Sequence, residues 1–404
     1  MRVLLTNHFP LEGSGSGIYT QNVARELTQK DHDALVITPA HEEQLNFPFG
    51  VRSILFTPDG PVEDIEGAGE RLPFNFPCFT THPLSTTTYG DLSSDHRGAY
   101  VEAFCSATAK AVLEWKPDVI HAQHLWVTGY AAHATGVPYV ATAHGTDLMG
   151  MRKYNTWRAT ALESAEHAIA IIAISKQVAE DTMRLYDVTP ERIRLIMNGF
   201  DEAIFRVFPI DRRETLADFG IHGEFEYIVC FVGKLTEFKG VDVLLDAAAI
   251  YEKELGDVLT LIVGDGELRD SLEKQARELG LKGIQFLGHQ TQLDVARIFN
   301  LADISAVPSR VEPFGLVAVE AMACGTPVVA TNEGGLPDFV HAGVGFLVDV
   351  ADSGGLAEAI TSELRSEAKK NKGSFAAKYA LEGFSWSRQV DKMIAVYDEA
   401  VRKQ

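Results

Sequence analysis

Short apolar runs alternate with amphipathic stretches along the whole chain. Residues 3–6 form an apolar run of strand length. The Gly-rich turn Gly13-Ser-Gly-Ser-Gly17 follows, residues 18–29 have helical periodicity, and residues 34–38 are apolar again. This order predicts the opening of a parallel sheet, whose strands are buried on both faces and joined by a crossing helix. The pattern recurs with strands at 117–124, 138–144, 168–175 and 194–197 and helices at 97–114 and 176–186, the second placed for capping by Ser175. Residues 198–209 are turn-rich and read as a linker. A second series then begins, with strands at 227–233, 259–263, 284–287, 304–307, 327–331 and 345–348 and helices between them. The expected fold class is α/β, two doubly wound parallel-sheet domains facing across a cleft. The expected boundaries are 1–200, 201–382 and a final amphipathic helix in 383–404. Residues 40–95 fit neither period. They are rich in Pro, Gly, Thr and aromatic residues, and a long loop of that kind reads as a lid or binding insert.

Composition narrows the function classes. A length of 404 residues favours two domains. The net charge of −20 argues against a nucleic-acid partner, and residues 1–200 alone hold 15 Lys+Arg against 23 Asp+Glu, so no basic half is hidden there. No apolar run is long enough for stable membrane insertion, and the residues after Met1 do not resemble a signal peptide. Cys78, Cys105, Cys230 and Cys324 lack metal-ligand spacing and read as reduced thiols, which suggests a cytoplasmic enzyme.

Candidate chemistry concentrates in Val307-Pro-Ser-Arg-Val-Glu-Pro-Phe-Gly-Leu-Val-Ala-Val-Glu-Ala-Met-Ala-Cys-Gly-Thr-Pro-Val-Val-Ala330. Pro313 and Gly315 place Glu312 in a loop and Glu320 one turn inside a helix that starts near Leu316. A helix N-terminus has unpaired N–H groups and the positive dipole end, which together seat a phosphate. Flanking carboxylates accept hydrogen bonds from sugar hydroxyls. A solvated glutamate at each end of an ordinary helix fits the spacing equally well. Lys234 and Lys239 flank Gly233-Lys-Leu-Thr-Glu-Phe-Lys-Gly240 at a strand end and suit a diphosphate, against the reading as surface lysines. No Asp-x-Asp at a strand end suggests a bound divalent cation. The Gly13–Gly17 loop is a poor dinucleotide fingerprint. It lacks the third glycine, and Pro39-Ala40 stand where an acidic residue is expected.

Taken together, these motifs resemble the retaining glycosyltransferases of family 4, with the GT-B fold. The resemblance rests on Gly-Lys-Leu-x₃-Lys-Gly, Val-Gly-Asp-Gly, Pro-Ser-x₂-Glu-Pro-Phe-Gly-Leu-x₃-Glu-Ala-Met-Ala-x-Gly-x-Pro-Val-Val-Ala-Thr and Gly-Gly-Leu-Pro-Asp. The N-terminal Gly-rich loop, Pro-Asp-Val-Ile-His-Ala, His144-Gly-Thr-Asp, Asn-Gly-Phe-Asp and the closing Phe-Ser-Trp helix extend it over nearly the whole chain. It implies two Rossmann-like domains, acceptor-binding and nucleotide-sugar-binding, with the last helix crossing back to the first. It implies that Glu312 binds donor-sugar hydroxyls beside the reacting centre, with His144 and Lys239 completing the catalytic set. Phe314, Gly315 and Leu316 offer backbone N–H groups to sugar and diphosphate, Glu320 binds ribose, and Lys234 and Lys239 hold the diphosphate. Lys234 stands where the family more often has arginine, and it keeps the charge without the bidentate fork. Gly15 and Gly17 let their loop close over the diphosphate, and His289 lies where the family contacts the base.

The implied reaction is a same-face, metal-independent displacement from a nucleotide sugar to a small soluble hydroxyl acceptor. Uridine is the default base and guanosine the second choice. No cofactor is implied, and a homodimer is left open. A nucleotide-sugar 2-epimerase of the same fold, a non-catalytic sugar-nucleotide module, and transfer to a lipid or polysaccharide are the alternatives.

Overall fold

The computed structural model describes residues 1–43, 46–59, 71–79 and 82–403. The chain divides into two compact units, residues 1–197 with 389–404, and residues 198–388. In the first, β1 (Arg2–Thr6), α1 (Gly15–Gln29), β2 (Asp33–Ala40), β3 (Gly50–Leu55) and α2 (Ser94–Trp115) are followed by β4 (Val119–Gln123), α3 (Val127–His133), β5 (Tyr139–Ala143), α4 (Thr146–Lys153), α5 (Arg158–His167), β6 (Ala170–Ala173), α6 (Lys176–Tyr186) and β7 (Ile193–Leu195). Their seven parallel strands run in the order β3-β2-β1-β4-β5-β6-β7. Leu4 lies opposite Leu35 on one side and Ile120 on the other, and all three are buried.

The second unit holds α7 (Arg212–Asp218), β8 (Tyr227–Val232), α8 (Val241–Leu255), β9 (Val258–Val263), α9 (Arg269–Glu278), β10 (Ile284–Gly288), α10 (Gln292–Leu301), β11 (Ile304–Val307), α11 (Leu316–Ala323), β12 (Val328–Thr331), β13 (Gly345–Val348), α12 (Ser353–Arg365) and α13 (Lys369–Phe384). Its sheet order is β10-β9-β8-β11-β12-β13, again parallel. Val229, Ile262, Ile304 and Val329 from four central strands meet Leu244, Ala248 and Ile360 from the helices in one apolar core. Their alternation of strand and amphipathic helix is what the hydrophobic pattern encodes.

Strand order reverses between β1 and β4 in one sheet and between β8 and β11 in the other. At such a switch the two adjoining loops diverge to opposite faces and open a crevice outside the strands' carboxyl ends. The last helix, α14 (Trp386–Arg402), begins in the second unit, and its residues from Gln389 onward belong to the first. There Tyr397 meets His121 at 2.7 Å, Asp391 pairs with Lys30 at 2.8 Å, and Glu399 pairs with Arg194 at 2.7 Å. Among the described residues no helix is long and apolar enough to cross a membrane.

Several boundaries differ from those read in the sequence. The 40–95 region is not wholly irregular, because it contains β3 and the start of α2. Residues 44–45, 60–70 and 80–81 of that supposed insert lie outside the described residues. Helix α1 starts at Gly15 rather than at residue 18. Gly15 and Gly17, expected in a closing loop, are therefore in its first turn, where Ser14 caps the helix by accepting the Gly17 N–H at 3.0 Å. The first unit's leading segment ends at 197 rather than 200.

Candidate active site

The loops leaving β8 and β11 flank the second sheet's switch point, and they are fastened to each other. Gly240 has φ 64°, and the place a Cβ would occupy is filled by the Pro308 carbonyl oxygen. Only glycine fits both conditions. Next to it the Arg310 N–H donates to the Phe238 carbonyl at 2.7 Å. The Arg310 guanidinium grips both Asp242 oxygens at 2.7 and 2.6 Å and reaches the Glu237 carbonyl at 3.0 Å. These bonds to Arg310 hold the Asp242 carboxyl below its ordinary range. A planar fork binding a carboxylate through two bonds fixes orientation as well as distance. The clamp brings Lys239 Nζ to 2.6 Å from Glu312 Oε2, which also accepts from Ser309 Oγ at 3.2 Å.

Beyond Glu312 the chain turns into α11. Gly315 takes φ 101°, and a Cβ there would lie 2.5 Å from Leu336 Cδ2, so the turn needs glycine. Gly335 donates to the Glu312 carbonyl at 3.0 Å, so the turn after β12 supports the loop from below. Among the described residues no side chain caps α11, which leaves the Leu316 and Val317 N–H groups open to a ligand, while the Ala318 N–H donates to the Gly315 carbonyl at 3.0 Å. Glu320 lies one turn in. It keeps some accessible surface, and its carboxyl has no hydrogen-bond or ion-pair partner among the described residues. Desolvation pushes its pKa up to about 8.

The structure thus gathers Lys239, Glu312, Phe314, Gly315, Leu316 and Glu320 along one continuous edge. Lys234 is exposed at the other end of the lysine loop. His289 is also exposed and follows β10, two strands from β8, where the Gly288 carbonyl accepts from Gly264 at 2.8 Å.

His144 belongs to the first unit. It follows β5, its Nε2 lies 2.9 Å from Gln123 Oε1, and its ring meets Tyr19 edge-on at 4.8 Å. Burial lowers its pKa to about 3, so it is neutral at pH 7. Asp147, which the sequence shows only as part of a motif, sets its position. Its carboxylate accepts the His144 N–H at 3.1 Å and the Leu125 N–H at 3.3 Å, tying the loops after β5 and β4 together. Arg310 was likewise unrecognised as a site residue. It stands inside the motif, but its partner Asp242 is 68 residues away, and no local spacing signals the pair.

Residues 13–203 match the family model for Glycosyltransferase Family 4, and residues 213–379 match that for Glycosyl transferases group 1. A Catenulispora acidiphila protein named D-inositol 3-phosphate glycosyltransferase 1 is 35% identical, over 70% of this chain and 72% of its own. The Saccharomonospora viridis protein named D-inositol 3-phosphate glycosyltransferase is 31% identical over 99% and 94%. Two solved structures are similar in fold. The Anabaena protein HepE in complex with UDP has a TM-score of 0.75 at 23% identity, covering 99% of this chain and all of that one. The sucrose-phosphate synthase of Thermosynechococcus elongatus has 0.74 at 22%, covering all of both. The chain belongs to the family 4 glycosyltransferases of the GT-B fold, and it is a glycosyltransferase.

Proposed function

We propose that the protein transfers a sugar, with retention, from a nucleoside-diphosphate donor to a small soluble hydroxyl acceptor without a metal. The observation that carries this reading is the Lys239–Glu312 pair, clamped beside the uncapped N-terminus of α11 with Glu320 one turn farther in. Lys239, Lys234 and the α11 N–H groups take the diphosphate, Glu320 the ribose, and Glu312 and Phe314 the sugar. His144, held neutral, offers a hydrogen bond and no charge. UDP is the preferred donor nucleotide, a choice supported by the UDP named in the HepE complex.

In the reaction the acceptor oxygen bonds to the anomeric carbon from the face that the diphosphate leaves. The bond from that carbon to the phosphate oxygen breaks, and the acceptor's proton passes to the departing oxygen. The protein's share is orientation and stabilisation of the charge growing on the diphosphate. Cationic and N–H donors supply that stabilisation, and on this reading a divalent cation is not required. Four free thiols, three of them buried, fit a reducing, cytoplasmic setting.

The test is a panel of nucleotide sugars scored by thermal shift and by release of nucleoside diphosphate, with and without EDTA. A UDP-sugar should stabilise the protein, by about 2.7 kcal/mol at 100 times its dissociation constant. Turnover should survive EDTA, and Glu312→Ala should lower kcat by about 10²-fold or more. Full activity in Glu312→Ala, or complete loss with EDTA that is restored by metal, would contradict the assignment.

A further inference from the structure

Helix α2 of the first unit turns an uncommon face to solvent. Tyr100, Phe104, Thr108 and Ala111 are buried, and the opposite side exposes Glu102, Ser106, Ala109, Lys110 and Leu113. Leu113 is 77% exposed, the largest fraction for a large apolar side chain among the described residues. From Gly98 to Leu113 the charged residues are Glu102 and Lys110 alone, in a chain whose net charge is −20. Neither is spent in an ion pair among the described residues.

Glu102, Ser106 and Lys110 stand four residues apart and form one ridge of the helix surface. The next row on one side is Ala99, Ala103 and Ala107, and on the other Cys105, Ala109 and Leu113. The alanines keep the first row low. A groove of about 780 Å³ runs between that row and the edge strand β3, lined there by Val51 and Leu55. A second groove of about 550 Å³ follows the other row as far as Ala134 and Thr135, just after α3. A ridge between two grooves fits a second helix of the same kind, because such ridges interdigitate when the helices cross at about 50°.

We propose that this face is where two copies of the chain join, with α2 packed antiparallel on the partner's α2 about a two-fold axis near Ser106. Glu102 and Lys110 lie about 6 Å to either side of Ser106 along the helix axis. The two-fold therefore brings Glu102 level with the partner's Lys110, and Lys110 level with the partner's Glu102. It also brings Leu113 level with the partner's Ala99, so the exposed leucine lies over the low alanine row. A stable dimer buries roughly 800 Å² on each partner, so the walls of both grooves belong to the face as well.

Charge selects a second copy as the occupant. Two chains of net charge −20 repel each other, and they can meet only where the local charge is balanced. This ridge is balanced, and its order of acid, neutral centre and base becomes its own complement when turned about the centre. An isologous contact demands that property, since the same patch serves on both sides. Of the charges lining the larger groove, Glu114 is held by Arg52 at 2.9 Å and Glu102 is matched by Lys110, which leaves Glu43 as the single unmatched one. Depletion of charge around an apolar centre is also the composition of an interface core.

The test is sedimentation equilibrium of the full chain as wild type, Glu102→Lys, Lys110→Glu and the double reversal. The wild type should be a dimer at micromolar concentration. Each single reversal sets like charges against each other across the axis and should weaken the dimer about tenfold. The double reversal restores opposite pairs and should return the dissociation constant to within about threefold of the wild-type value. A monomeric wild type, a dimer indifferent to both single reversals, or a double reversal no stronger than the singles would each overturn the proposal.

Discussion

Glu320 presents a carboxyl without a partner among the described residues, and desolvation raises its pKa to about 8, so the free protein holds the proton at pH 7. Ribose hydroxyls donate to a carboxylate and so favour the ionised form. Nucleotide binding should therefore expel that proton. The sign follows from linkage. The pKa is high in the free state and falls on binding, so affinity should rise as pH climbs towards about 8 and then level off. Calorimetry of UDP binding at pH 7 in buffers of different ionisation enthalpy measures the proton directly. The wild type should release about one proton more than Glu320→Gln, since a group with a pKa near 8 is nearly fully protonated there. Equal proton counts in the two proteins would remove Glu320 from the ribose site. That Glu312, Gly315 and Glu320 stand close together was legible in sequence, because they lie in one short stretch. The shifted pKa of Glu320 was not, because desolvation comes from other elements.

At the scale of elements, the proposed donor site depends on two loops from neighbouring strands being held together. Arg310 and Asp242 do this, at 2.7 and 2.6 Å, without belonging to the set expected to touch the donor. Arg310→Ala should raise the KM for the donor about tenfold while lowering kcat less, because Lys239 and Glu312 keep their chemistry but lose their common frame. Arg310→Lys should rescue only part, since lysine cannot form the fork. In a double-mutant cycle with Asp242→Ala, the coupling should be about 1–3 kcal/mol. Additive effects would mean that the clamp does not act as a unit. This is also where sequence reading stopped. Helix α11 and strands β8, β9 and β11 were legible from periodicity and motif. The edge strand β3 was not, since Val51, Arg52 and Ser53 are only partly buried and show no apolar run. Neither was α12, which opens on Ser353-Gly354-Gly355, nor α13, which opens on Lys369-Lys370-Asn371-Lys372. Both sequences favour turns or solvent locally, and tertiary packing of Leu356, Ile360 and Ala376 overrides them.

Across the whole molecule, buried histidines give the first unit an acid liability, offset in part by Asp147, whose pKa burial raises to about 6. His8, His121, His124 and His144 are buried in the first unit, with pKa values lowered to about 3 for His8, His121 and His144 and well below the ordinary value for His124. Burial is the leading cause in each case, and the second unit's His222, His289 and His341 are not among the buried polar residues. A depressed histidine pKa means that the unfolded chain binds protons the folded unit refuses. Stability is then complete above about pH 6.5 and is lost as pH falls towards 3. Between pH 7.5 and 5.5 each such histidine costs about 1.4 kcal/mol, roughly 4 kcal/mol for the three whose pKa falls to about 3. That is a large share of an ordinary domain's stability. In the second unit Glu320 works the other way, since its raised pKa erodes stability as pH climbs from about 4.5 to 8. The first unit is also closed by α14, through Tyr397 on His121, so its loss should release that helix segment. Hydrogen exchange read by mass spectrometry, corrected for the intrinsic pH dependence of exchange, resolves the two sheets. On going from pH 7.5 to 5.5, β1, β4, β5 and residues 389–402 should lose protection together, while β8, β9 and β11 keep theirs. Equal loss in both sheets would mean that the buried histidines do not govern the acid response.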